Sequence, residues 1–276
     1  MFKKFYLKLL RTLMKKFYKS HLLKKIYGFL IKENLYFDDF ALKNGVIEVM
    51  AIYKDNLPIK TSKEFVKTRF DNISNHYELA VKKANYQSGE MRFLLEKISE
   101  NIKSRKNSLT ILDLGCGTGL IGEALNINKD TDLLIGVDLS LKMLEICKSK
   151  NIYNELILND IEKYLSSEKR QFDIIYACSV IQFFDETSLT SLFEKIKPRL
   201  NINGRFYFTF DIGIKESCKI NSKLFCEHSI EFIEKLCSKY FTHFTINKLD
   251  FGRVEQGKTV DCGIVTIKKL KKELLR

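Results

Sequence analysis

Leu109-Thr110-Ile111-Leu112-Asp113-Leu114-Gly115-Cys116-Gly117-Thr118-Gly119 decides how this chain is read. Leu109, Ile111 and Leu112 make a short apolar, partly β-branched run, the pattern of a buried strand. Three glycines then alternate, and Leu120-Ile121-Gly122-Glu123-Ala124-Leu125 continues as a helix. Strand, glycine turn and helix in that order bring bare backbone against a nucleotide-like ligand. Glycine supplies the positive φ angles of the turn and puts no Cβ in the way. The helix that follows points its first N–H groups at whatever docks there. No Gly-Lys-Ser/Thr follows, so the turn is not a P-loop, and the Gly-x-Gly-x-Gly spacing departs from the Gly-x-Gly-x-x-Gly of dinucleotide sites. Asp113, two positions before the first glycine, would repel a pyrophosphate and suits a cationic ligand.

Downstream of this stretch, short apolar strands alternate with helical patterns, the signature of βα units and a mostly parallel sheet. Leu133 to Val137 reads as the second strand, closed by Asp138; Ser140 caps a helix over Leu141 to Lys148. Glu155 to Leu158 is the third strand, ending in Asn159-Asp160 before a helix from Ile161, and Phe172 to Cys178 is the fourth. A helix over Ser188 to Leu200, a fifth strand over Arg205 to Phe210 and a Ser229-capped helix follow. Phe241 to Phe251 and Val260 to Ile267, around Gly252–Gly257, read as a closing antiparallel pair.

Upstream, Phe65 to Lys103 reads as two or more helices, broken at Gly89 and resumed by a Met91, Leu94, Leu95, Ile98 stripe. Residues 33–64 are the least legible, with a linker signal at Asp55-Asn56-Leu57-Pro58. Residues 1–32 follow a helical period, with Phe2, Phe5, Tyr6, Leu9, Leu13 and Phe17 on one face and Lys4, Lys8, Arg11, Lys15 and Lys19 on another. Of the net charge of +13, this arm of ten Lys/Arg and no acid supplies +10, leaving +3 for everything else. A basic amphipathic helix suits an anionic membrane surface or nucleic acid, and equally a packed apolar face with solvated lysines, which is the favoured reading. The 276 residues suit one large domain with an extension, and no uncharged apolar run approaches the roughly 20 residues of a membrane span. Seven scattered cysteines without a Cys-x-x-Cys give no metal-ligand spacing and read as thiols of a cytoplasmic protein.

Asp113-Leu114-Gly115-Cys116-Gly117-Thr118-Gly119 resembles the first motif of the class I S-adenosylmethionine-dependent methyltransferases. Glu64 to Ile98 resembles the segment that precedes this motif in bacterial methyltransferases often carrying upstream tetratricopeptide repeats, through Phe65-Val66, Phe70-Asp71, Tyr77-Glu78 and Tyr86. Ile73 stands where an aromatic is usual there, and Gln87 where an arginine is usual. The resemblance spans about residues 64–268. It implies an α/β, Rossmann-like, doubly wound, seven-stranded and mostly parallel sheet with an antiparallel last strand, plus a helical N-terminal extension. The domains expected are a basic helical extension over 1–64 and a methyltransferase domain over 65–276 with a helical lid over 65–103.

The resemblance also implies S-adenosyl-L-methionine as cofactor. Asp138, some twenty residues beyond the glycines, stands where an acid accepts bonds from ribose hydroxyls. Asp160 is expected near the adenine amino group with Met143 and Ile161 flanking the ring, and Asp113 near the ammonium group. Tyr77, Gly115, Cys116, Gly117, Gly119, Leu139 and Cys178 complete the expected cofactor set, and no metal is expected. The catalytic residue stays unknown: His228 and Ser179 are weak candidates, Ser179 standing where the related group commonly has an aspartate. A missing base does not exclude methyl transfer, because holding an acceptor in line supplies on the order of 7–11 kcal/mol in favourable cases. The function expected is methyl transfer to a small molecule. The alternatives are an RNA or protein acceptor docked by residues 1–32, or a non-catalytic cofactor-binding or membrane-surface module; the expected location is cytoplasmic, with membrane association through the arm as an addition.

Overall fold

A computed structural model describes residues 61–83, 89–105, 107–213, 219–220, 225–255 and 258–271. The basic arm, the linker at residues 55–58, Tyr86 and Gln87 lie outside them. Three helices come first: α1 (Lys63–Ile73), α2 (Tyr77–Lys83) and α3 (Glu90–Lys103). Ser62 caps α1 by accepting from the Phe65 N–H at 3.1 Å.

The α/β unit then runs β1 (Thr110–Leu114), α4 (Leu120–Leu125), β2 (Leu133–Asp138), α5 (Leu141–Ser149), β3 (Glu155–Leu158), α6 (Ile161–Ser167), β4 (Phe172–Ala177), α7 (Glu186–Arg199) and β5 (Leu200–Ile212). It closes with β6 (Lys219–Ile220), β7 (Cys226–His228), α8 (Ile230–Tyr240), β8 (Phe244–Glu255) and β9 (Lys258–Lys268). The helices begin where side chains can hold their first N–H groups: Ser140 for α5, Asp160 for α6, Asp185 for α7 and Ser229 for α8 each accept from a backbone N–H three residues on.

The main run of the sheet is β3-β2-β1-β4-β5, all parallel. β9 lies antiparallel along β5, from Arg205 opposite Lys268 to Asp211 opposite Cys262, and β8 pairs antiparallel with β9. Those seven strands are the mostly parallel sheet with antiparallel closure that the motif implied. The short β7, parallel to the last two residues of β5, and β6 beside it bring the total to nine. Neither short strand has a sequence signal, since two or three residues are too few for periodicity to register.

Alternate residues of each strand feed two separate cores, as the pleat requires. Leu112, Leu114, Ile135, Val137, Ile175, Ala177, Phe206, Phe208, Phe210, Val265 and Ile267 meet Tyr164, Leu165, Leu192, Phe193, Ile196, Ile233 and Leu236 from α6, α7 and α8. Ile111, Leu134, Ile174, Tyr176, Tyr207 and Ile264 meet Leu94, Ile98, Ile121, Leu144 and Cys147 from α3, α4 and α5. The sheet is therefore covered on both faces, and the open ground for a ligand is the edge at the carboxyl ends of its strands. Five of the six described cysteines are free; Cys226 is disulfide-bonded, which corrects the reading of all seven as thiols.

Candidate active site

The glycine turn sits at the end of β1 with φ values of 74° at Gly115, 54° at Gly117 and 83° at Gly119. All three lie in the left-handed region that L side chains avoid. At Gly117 a Cβ would meet nothing nearer than Tyr77 Cε1 at 3.9 Å, so its bare backbone faces open space. At Gly115 it would run into Val180 Cγ2 at 2.5 Å. Asp138 fastens the turn: Gly117 N–H donates to one carboxylate oxygen and Ser140 N–H to the other, both at 2.8 Å. Burial raises the Asp138 pKa, against the lowering effect of those two N–H groups and that of Leu139.

In front of the turn lies a cavity of about 400 Å³. Of the expected cofactor residues, Tyr77, Gly115, Gly117, Asp138, Leu139, Met143, Asp160, Ile161 and Cys178 line it. Asp160 caps α6 through a 3.0 Å bond from Lys163 N–H and also pairs with Lys63 at 2.8 Å. Lys63 bridges on to Glu162 at 2.9 Å, so α1 is strapped to the end of β3 and the start of α6. A second strap is Asp71, which accepts from the Ser140 hydroxyl at 2.6 Å. Burial opposes the charged form of Asp71, but the Ser140 hydroxyl and Lys67 hold its pKa below the usual range.

Two expected residues are held behind the turn. Asp113 is 3% exposed and accepts from Tyr153 Oη at 2.6 Å. Burial pushes its carboxyl up to about 7 in spite of the Tyr153 and Tyr176 hydroxyls. With Cys116 it lines only a recess of about 40 Å³ that also touches Tyr77, Gly115 and Gly117. Tyr153 reaches Asp113 because Gly122 and Gly136 leave room: a Cβ at either would lie within 3 Å of its side chain. Gly119 lines neither space, since its would-be Cβ points at Cys147 Sγ, 2.8 Å away.

One wall of the cavity combines α1 with the segment after β4. Val66, Phe70, Val180, Phe183 and Phe184 make it apolar, and the Phe70 and Phe183 rings meet edge to face at 5.6 Å. Ser179 lines both the cavity and the recess with φ at 55°. Its N–H donates to Thr209 Oγ1 at 2.8 Å and its hydroxyl to Glu90 Oε1 at 2.6 Å. Glu90 opens α3, is 1% exposed and escaped the sequence reading; the only hint was an acid right after the Gly89 break. His228 is corrected outright: it is fully buried, stacks on Phe232 at 5.5 Å and lies outside the cavity lining. Its pKa is lowered by that burial, the opposite of an exposed proton shuttle.

The donor set fits S-adenosylmethionine. The bare Gly117 backbone would leave room for its amino-acid end, and Asp138 would offer carboxylate lone pairs beyond those its backbone N–H partners occupy. Leu139, Met143 and Ile161 offer an apolar slot beside Asp160. A doubly wound sheet with this turn at the end of β1 is the fold of class I methyltransferases. Residues 111–204 match the methyltransferase domain family. The chain is 27% identical over 232 residues, covering 76% of it and 81% of the other, to a malonyl-[acyl-carrier protein] O-methyltransferase of Priestia megaterium. It is 30% identical over 96 residues, 35% of it and 31% of the other, to an 18S rRNA (guanine-N(7))-methyltransferase of Arabidopsis thaliana. In fold it resembles magnesium protoporphyrin IX methyltransferase from Synechocystis, solved with bound S-adenosylhomocysteine, with a TM-score of 0.54, 12% identity and cover of 75% of this chain and 99% of that one. Residues 111–204 thus carry a methyltransferase domain on the class I fold, and the chain is an S-adenosylmethionine-dependent methyltransferase.

Proposed function

We propose that the enzyme transfers a methyl group from S-adenosylmethionine to a small-molecule acceptor seated against the apolar wall after β4. The observation that carries this reading is the cavity itself. One cavity of about 400 Å³ joins the glycine turn and Asp138 to Phe70, Phe183 and Phe184 beside α1. That size is in the range of small-ligand sites, and α1 is held over it through Lys63 and Asp71. The named activities of the relatives differ in acceptor, from malonyl-[acyl-carrier protein] to an 18S rRNA guanine, so likeness to them speaks for the donor and not for the acceptor.

Bound in the cavity, the cofactor supplies an electrophilic methyl group on a positively charged sulfur. Gly115 and Gly117 admit it by their bare backbone, while Asp138 locks the turn and faces the same space. Phe70, Phe183 and Phe184 exclude water and orient the acceptor, which is where an in-line displacement gains most. Calorimetry with S-adenosylhomocysteine tests the donor half; folded protein that binds none at millimolar ligand would sink it. Labelled S-adenosylmethionine with a low-molecular-weight metabolite extract tests the acceptor half. Label appearing only in macromolecules would replace the small-molecule reading.

A further inference from the structure

We propose that Ser179 and Glu90 form a proton-accepting pair, and that the acceptor is therefore a hydroxyl or amine that still carries its hydrogen, on a neutral or cationic molecule, and not a carboxylate. This rests on the methyl-transfer reading above and names its substrate class.

The first observation is the direction of the bonds at Ser179. A serine hydroxyl has one hydrogen to donate and two lone pairs. The hydrogen is committed to Glu90 Oε1 at 2.6 Å, and the N–H to Thr209 Oγ1 at 2.8 Å. Toward the cavity Ser179 therefore offers lone pairs alone, and a group that meets it well must be a donor. An ionised carboxylate has no hydrogen to give. The left-handed backbone at Ser179, φ 55°, aims the residue at the place that Thr209 and Glu90 jointly define.

The second observation is charge. Among the described residues, the cavity lining carries four carboxylates, Asp138, Asp160, Glu162 and Asp185, against the single ammonium of Lys63. That field favours a sulfonium donor and a neutral or cationic acceptor, and it penalises an anionic one. Glu90 adds to it from behind the wall. The described titratable groups facing Glu90 are Asp211 from β5 and Cys262 from β9, whose ligand-type atoms all lie within 4.8 Å of one another, together with Tyr77 and Cys178.

The chemistry balances without a further reagent. The acceptor's lone pair forms the new bond to the methyl carbon, and the electron pair of the broken carbon–sulfur bond stays on sulfur. The acceptor's hydrogen passes as a proton to Ser179 Oγ while the serine's own hydrogen passes to Glu90 Oε1. Ser179 is thus the catalytic residue and Glu90 the residue that positions it and stores the proton until release to solvent.

Incubation with methyl-labelled S-adenosylmethionine and a metabolite extract, followed by alkali, reads the substrate class. An ether or N-methyl product keeps its label, which supports the pair; a methyl ester releases it as volatile methanol, which overturns the pair while leaving methyl transfer standing. If protein that binds S-adenosylhomocysteine labels nothing, the methyl-transfer reading falls and this inference with it. Variants give the second readout. Ser179→Gly keeps the left-handed backbone, and Glu90→Gln keeps an oxygen for the serine hydrogen but no place for a proton. Each should lower turnover by about 10²-fold or more, the typical share of general-base assistance. The affinity for S-adenosylhomocysteine should stay within about twofold. Turnover by Glu90→Gln should climb with pH, because its acceptor must arrive deprotonated, and Glu90→Asp should recover part of the loss. Equal turnover in wild type and Glu90→Gln across pH would overturn the role of Glu90.

Discussion

The two halves of the cavity are built in opposite ways. The donor half is assembled from strand ends, with each functional group inside or next to the segment that names it. Gly115 and Gly117 follow β1, Asp138 closes β2 and Asp160 follows β3. The half proposed for the acceptor is assembled from segments far apart in the chain: Ser179 meets Glu90 across 89 residues, and Phe70 of α1 meets Phe183 edge to face. A half made locally reads as a motif and is shared with enzymes of different acceptors. A half made by long-range contacts is free to differ, so on the function proposed above it is where the identity of the acceptor would be set.

The sharpest way to break this contrast is Gly117→Arg. The position needs φ 54° and opens on the cavity beside Tyr77. A long side chain there is strained and fills the donor's space, so S-adenosylhomocysteine affinity should fall by more than about 10³-fold, the worth of several hydrogen bonds. Near-normal binding by this variant would mean that the donor does not lie over the turn. Next in size is the pH dependence of stability carried by Asp113. Its folded pKa of about 7 lies above the ordinary aspartate value of about 3.9, so the folded state binds the proton more tightly. That contribution is full below about pH 4 and is lost as pH rises through about 7, by up to roughly 4 kcal/mol on linkage. Denaturant titrations of wild type and Asp113→Asn at pH 5 and pH 8 should therefore diverge, with wild type losing ground to the variant at the higher pH. Parallel behaviour would place Asp113 in a wetter site than the one beside Tyr153.

How much was legible follows the same division. The strand β3 and the starts of α4, α5, α6 and α8 fall where the sequence puts them, because side-chain caps and β-branched runs are local signals. Shifts elsewhere come from neighbours. The helix expected from Ser188 begins at Glu186 because Asp185 accepts the Ser188 N–H, and the fifth strand extends from Leu200 to Ile212 because β4 and β9 pair along it. Nine of the twelve expected cofactor residues line the main cavity. Asp113, Cys116 and Gly119 lie behind it because the bulky Tyr153 ring, tucked against Gly122 and Gly136, turns that side of β1 into core. His228 looked like a base at a helix start; β7, invisible in the sequence, carries it into the interior. Glu90 and Lys63 were not found, since an acid or a lysine in the first turn of a helix is ordinarily a solvated one.

Asp138→Asn sharpens the donor half at a smaller scale. One amide oxygen cannot accept from both Gly117 and Ser140, and the NH₂ would confront an N–H, so one buried donor is left unpaired. An unpaired buried group costs about 1–3 kcal/mol, which converts to about 10- to 100-fold in S-adenosylhomocysteine affinity if the turn must be ordered before binding. The effect should appear in calorimetry with a melting temperature lowered in parallel.

The smallest effect falls on the strap that joins the two halves. Lys63 is 56% exposed and reaches Asp160 and Glu162 from α1. Exposed pairs of this kind contribute at most about 1 kcal/mol, so Lys63→Ala should weaken S-adenosylhomocysteine by no more than about fivefold. The direction is fixed by lone pairs. The Asp160 oxygen facing Lys63 accepts a second bond without giving up the first, so removing the lysine frees nothing the cofactor needs and only loosens α1. The difference between wild type and variant should shrink as salt is raised from low to physiological ionic strength, because the Debye length falls to about 8 Å there. A variant that binds more tightly than wild type would show the opposite: Lys63 then competes for Asp160, and α1 is a gate over the donor site and not a strap that holds it.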